Sequence, residues 1–175
     1  MNPDKCFIDQ KLEEGMSIDQ TYQAYAERAR AIICNHGWMV QGVSEGDDFP
    51  EFAYTIGLSD KYKCELIVVG LDPARATLVL NSAAKTLLAR GNVPLKPGEK
   101  IEKVVEGYSV CFIAVDEEPR KELMHMNELV TGKSDFQALQ LVWPDRSGCF
   151  PWDSECTPVV KVFQPLLGPA PTTLE

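Results

Sequence analysis

The run Glu65-Leu-Ile-Val-Val-Gly-Leu71, followed at once by Asp72-Pro73, constrains the fold of this chain more than any other segment. Its apolar residues do not alternate with polar ones, so a strand built from it must be covered on both faces and belongs at the centre of a sheet. Asp72 then supplies an N-cap acid and Pro73 a first helical residue. Ala76, Val79, Leu80, Ala83, Ala84, Leu87 and Leu88 recur at helical spacing up to Gly91, which suits a helix end.

The flanking segments carry further sheet and helix signals. Ser17 or Asp19 caps a first helix whose stripe is Tyr22, Tyr25, Ala26, Ala29, Ile32 and Ile33, and which stops near Gly37. Strands are predicted over 38–43 and 52–57, with a turn at 44–48 before Pro50 and a polar turn at 59–61. After Pro94, Pro97 and Gly98 come paired strands at 101–105 and 108–115. A shorter helix over 118–130 and a strand over 138–143 follow, and 159–163 reads as a last edge strand. This order is neither alternating βαβ nor all-β. The expected class is α+β, with a mostly antiparallel sheet or a small split-barrel-like core and about three flanking helices. One unit spans 17–168, between an N-terminal extension (1–16) and a Pro-rich tail (169–175) whose final Leu174-Glu175 resembles a cloning remnant.

Charge narrows the function classes. Twenty-six acidic against seventeen basic side chains give a net charge of −9, which repels a phosphate backbone, so no nucleic acid is expected as partner. No apolar run reaches the roughly 20 residues of a membrane span, and no secretory leader is visible. A cytoplasmic protein is expected. The cysteines at 6, 34, 64, 111, 149 and 156 are expected to be reduced, with Cys64 and Cys111 acting as small hydrophobes in strands.

Residues able to do chemistry are few. Any histidine-dependent acid–base step must use His36 or His125, the only two histidines. His36 sits at a helix–strand junction and also suits a helix C-terminus, whereas His125 falls on a surface position. The cysteine and histidine spacings match no zinc pattern, and no phosphate-cradling glycine string occurs. The densest non-periodic segment is Leu141-Val-Trp-Pro-Asp-Arg-Ser-Gly-Cys-Phe-Pro-Trp-Asp153. Prolines stiffen it, tryptophans offer flat apolar faces, and Asp145, Arg146 and Asp153 add charge. Such a loop suits a pocket wall and equally suits a Trp-anchored closure of the core.

His36-Gly-Trp, Phe52-Ala-Tyr-Thr-Ile-Gly-Leu58, the 65–71 strand, and Gln140-Leu-Val-Trp-Pro-Asp with Phe150-Pro-Trp-Asp153 together resemble the bacterial family known as domain of unknown function 4262, over roughly 34–168. That family commonly has Pro-Glu before the third strand, where this chain has Cys64-Glu65. The departure reads as one at a turn. More distantly, Tyr54-Thr-Ile-Gly-Leu, an apolar strand and a helix beginning Asp72-Pro73 look like flavin reductases with a split β-barrel. That likeness implies Tyr54, Thr55 and Asn81 near a ligand, Trp143 or Trp152 stacked on a flat ring, FMN or another flavin as cofactor, and a homodimer.

Three readings follow. The first is a binder of a small flat or aromatic ligand, using Tyr54, Thr55, Trp143, Asp145, Arg146 and Trp152. The second is a non-enzymatic acidic module, of inhibitor or immunity type, that covers a basic protein partner. The third is an enzyme, either a flavin-dependent reductase or a hydrolase pairing His36 with Asp145 or Asp153. No metal is expected.

Overall fold

A computed structural model describes residues 11–171 apart from 13, 48, 92 and 94. Expectations for residues 1–10, Cys6, Asp48, Pro94 and 172–175 therefore lie outside the described residues.

The first helix, α1 (Ile18–His36), begins at Ser17, whose hydroxyl accepts from the Gln20 amide while the Gln20 side chain accepts from the Ser17 amide. Two amide donors that the helix start would leave unpaired are satisfied in this way. Its inner face is Thr21, Tyr25, Ala26 and Ala29. Tyr22, expected in that stripe, points outward and is exposed. Gly37, left-handed at φ 94°, ends the helix.

The chain then forms β1 (Met39–Val43), β2 (Phe52–Ile56), a short helix α2 (Ser59–Tyr62) where a plain turn was expected, and β3 (Cys64–Val69). Helix α3 (Pro73–Ala89) follows, with the Asp72 carboxylate accepting from the Arg75 amide at 3.1 Å. Next come β4 (Lys100–Val105), β5 (Tyr108–Ala114), α4 (Glu117–Leu123), α5 (Met126–Thr131), β6 (Gln137–Val142) and α6 (Pro158–Phe163).

The α+β expectation holds, with corrections. The sheet order is β1-β2-β3-β6-β5-β4. It is mixed rather than simply antiparallel, because β6 returns after a long excursion to lie parallel to β3, while the other neighbours run antiparallel. It is also open, with β1 and β4 at opposite edges, so no barrel closes. The predicted 118–130 helix breaks at Met124-His125 into α4 and α5, so six helices, not about three, flank the sheet among the described residues. The expected last strand at 159–163 is helix α6, with Pro158 in its first turn. Proline has no amide to give a sheet ladder and is at home in a first helical turn.

Alternation along the strands builds a three-layer molecule. One sheet face buries Ala53, Leu66, Val68, Phe112, Leu139 and Leu141 against Ala76, Leu80, Ala83 and Leu87 of α3. The other buries Tyr54, Ile56 and Ile67 beneath α1 and α5, and Cys111, Ile113 and Val142 beneath Phe150 of the loop after β6. The continuous burial of β3, predicted from its apolar run, thus comes from helices on both faces.

Candidate functional site

Glu65, in the second position of β3, is fully buried. Its carboxylate accepts from the Thr55 hydroxyl at 2.6 Å and from the amides of Gly57 at 2.9 Å, Leu58 at 3.2 Å and Ser59 at 2.9 Å. Thr55 in turn accepts from the Leu66 amide. Burial pushes the Glu65 carboxyl above the usual carboxylate range, and these donors pull the other way. Cys64-Glu65 is therefore no turn but the start of a buried strand. Glu65 ties the end of β2 to the start of α2, and that bond fixes where α2 and the residues after it stand.

Those residues form one wall of a cleft of about 960 Å³ at the N-terminal ends of β3 and β6. Lys61, Tyr62, Lys63 and Cys64 supply that wall; Arg120, Asp135, Phe136 and the start of β6 face it, and Leu95 and Pro97 lie between α3 and β4.

 Leu95 is buried there, and the Tyr62 hydroxyl holds this segment by donating to the Val93 carbonyl at 2.6 Å. Arg90, at the end of α3, pairs with Glu99 at 2.6 Å and closes the same loop.

Charged side chains of both signs line the cleft. Lys61, Lys63 and Arg120 line it, with Glu117 and Asp135 as the lining acids. Glu117 pairs with Lys121 at 2.5 Å, which holds its carboxyl below the usual range. The Arg120 guanidinium lies 4.9 Å from the centre of the Phe136 ring and donates to the Ser134 carbonyl at 2.8 Å, so its position is fixed from two sides. Lys63 is left-handed at φ 64°, a conformation costing a non-glycine residue roughly 1–2 kcal/mol. Cys64 is buried, and burial together with Glu65 pushes its thiol up to about 12, which keeps it protonated and inert.

The loop after β6 lies at the other end of these strands. Trp143 donates its indole N–H to the Val69 carbonyl at 3.0 Å, and its backbone exchanges two bonds with the Gln164 side chain. Asp145 accepts from the amides of Ser147, Cys149 and Thr157 and from the Thr157 hydroxyl, and these donors hold its carboxyl at about 2. Asp153 accepts from the Phe150 amide at 2.7 Å. Trp152 stacks on Phe150 with ring centres 4.9 Å apart, and Lys100 sits over the same Phe150 ring. Arg146 is exposed.

The sequence-predicted residues are thus dispersed. Tyr54 is fully buried beneath α1 and α5. Its hydroxyl approaches the Met126 backbone without hydrogen-bond geometry, and burial raises the phenol far above its usual range. The Thr55 hydroxyl is spent on Glu65 and Leu66. Asn81 accepts from the Trp38 indole. His36 is exposed at the end of α1 beside the edge strand β1, away from the loop that carries Asp145 and Asp153. Trp143, Asp145, Arg146 and Trp152 share one loop, and none of the six predicted ligand residues lines the cleft.

Sequence reasoning missed Glu65, Lys61, Lys63, Arg120 and Phe136. An acid heading an apolar run was the available signal, because a buried carboxylate must recruit donors. The five cysteines among the described residues are unpaired. Among the same residues no cluster of three or more His, Cys, Asp or Glu is placed to hold a metal ion, and no helix is long and apolar enough to cross a membrane.

No curated protein and no solved structure matches this chain, so the flavin-reductase likeness gains no support. A family model described as Domain of unknown function (DUF4262) matches residues 32–157, a stretch holding all six strands, the cleft and the Trp-rich loop up to Thr157. With well over half of its length matched, the chain belongs to the DUF4262 family.

Proposed function

We propose that this protein binds a small anionic organic molecule in the cleft at the N-terminal ends of β3 and β6. The observation that carries this reading is that Lys63 and Arg120, the latter held by the Phe136 ring and the Ser134 carbonyl, line one concavity of about 960 Å³ in a chain of net charge −9. That volume lies within the roughly 300–1,000 Å³ of small-molecule sites. Leu95, Phe136 and Leu139 give the cleft an apolar surface for the body of a ligand, and the cations address its charge. Lys63 is held in place as the left-handed C-cap of α2, its amide donating to the Ser59 carbonyl. The reading keeps the small flat or aromatic ligand expected from the sequence and moves its seat away from the tryptophan loop, whose polar groups are occupied by bonds within the fold.

Calorimetric titration with FMN, pyridoxal phosphate and adenosine monophosphate tests the idea, each probe joining a flat ring to a phosphate. Saturable binding of at least one is expected, weakened about tenfold or more in Arg120→Ala and in Lys63→Gly. Absence of saturation by all three up to about 1 mM, or binding indifferent to both substitutions, sinks the proposal.

A further inference from the structure

The two edges of the sheet differ in kind. Edge strand β4 exposes Lys100, Glu102 and Lys103, its register with β5 shifts between Ile101 and Val105, and Lys103 is left-handed at φ 67°. Charges and bulges of this sort block pairing with a further strand. Edge strand β1 reads Met-Val-Gln-Gly-Val, with no charge, no proline and an unbroken register along β2.

The outward groups of β1 follow from the ladder. The Gly70 amide donates to the Glu51 carbonyl, next to the Phe52–Val69 pair. That phase turns the backbone of Phe52, Tyr54 and Ile56 toward β1, where they face Val43, Gln41 and Met39. Val40 and Gly42 therefore direct their N–H and C=O groups away from the sheet. The Gly42 carbonyl takes the side-chain amide of Gln41 at 2.6 Å, as befits an acceptor outside the ladder. Among the described residues no strand pairs with this side of β1.

We propose that two copies of this chain pair antiparallel through β1, about a two-fold axis at Gln41, and join their sheets into one. In that register Val40 of each copy exchanges both backbone bonds with Gly42 of the other. The turn after β1, with exposed Glu45 and Asp47, then lies beside the Gly37 end of the other copy's β1. Lys61 stands at that end, its Nζ 2.5 Å from where a Gly37 Cβ would be. Acidic turn and lysine attract twice, once at each end of the pair, and offset the like net charge of the copies. Because each copy offers one open edge and one blocked edge, association closes at two and does not continue into a filament.

Light scattering on the full chain tests the pairing, with native-state hydrogen exchange as the second readout. A particle of twice the 19.5 kDa protomer is expected, with the Val40 and Gly42 amides slowing as concentration rises. Val40→Pro removes an outward N–H without breaking the β1–β2 ladder, and a folded monomer is expected from it. A wild-type chain monomeric up to about 1 mM overturns the proposal, as does a dimer that survives in folded Val40→Pro. Should that variant fail to fold, fast exchange at Val40 and Gly42 in a dimeric wild-type sample overturns it equally, and slow exchange upholds it.

Discussion

Glu65 and Asp145 are both buried carboxylates with four donors each, yet they respond to their surroundings in opposite ways. For Glu65 desolvation is the larger effect and the carboxyl is raised; for Asp145 the donors prevail and the carboxyl is lowered to about 2. Glu65→Ala strands three backbone amides and the Thr55 hydroxyl, and each unpaired buried group costs about 1–3 kcal/mol. A loss of at least about 3 kcal/mol is expected in chemical unfolding, with Glu65→Gln milder because one acceptor oxygen remains. A stability within error of wild type in Glu65→Ala would remove its anchoring role. Asp145 predicts a pH effect. Its folded carboxyl sits near 2 against 3.8 for an ordinary aspartate, so the folded state holds fewer protons between those values. Its contribution is therefore complete above about pH 4 and is lost as pH falls toward 2. Asp145→Asn should flatten that part of the stability–pH curve, as followed by denaturant titration at successive pH values. Asp145 stood out in the sequence through its proline- and tryptophan-rich neighbours. Glu65 did not, because its donors come mostly from backbone amides eight to six residues earlier, and amides have no sequence signature.

Among the elements, those carrying their own start and stop signals were legible. The Asp72-Pro73 start gave α3, and Ser17 with the stripe through Tyr25 and Ala29 gave α1. The unbroken apolar run gave β3 its central place. The parallel neighbour of β3 could not be read, since β6 pairs with it across more than sixty residues and its alternation is equally suited to either direction. Helix α6 misled because Val159, Val160 and Val162 favour strands locally. Its place is set instead by docking, with the Phe163 carbonyl lying where a Cβ on Gly70 would be. Gly70 is also left-handed at φ 76°, so Gly70→Ala meets both a backbone strain and a steric overlap. A loss of at least about 2 kcal/mol is expected, with proteolysis opening first around α6. Cleavage elsewhere, with α6 still protected, would mean that α6 is not held through this contact.

At the scale of the whole molecule, the length of the central strands separates the cleft from the tryptophan-rich loop. Strands β3 and β6 run parallel, so their N-terminal ends form the cleft and their C-terminal ends carry Trp143 and the loop behind it. Six residues at about 3.3 Å each put roughly 20 Å between the two. A ligand seated in the cleft must touch only one end, and this gives the proposed function a footprint as well as an affinity. At about a hundredfold excess over Kd, binding to the folded state adds about 2.7 kcal/mol, enough to raise Tm by roughly 5–10 °C in a chain of this size. Hydrogen exchange under the same conditions should slow at residues 61–64 and 135–139, which wall the cleft, and stay unchanged at 143–157. Protection confined to 143–157 would return the site to the tryptophan loop. That outcome would also require the loop to open, since Trp143, Asp145 and Asp153 already spend their polar groups within the fold. The binding rate would then be limited by that opening, whereas the preformed cleft requires no such step.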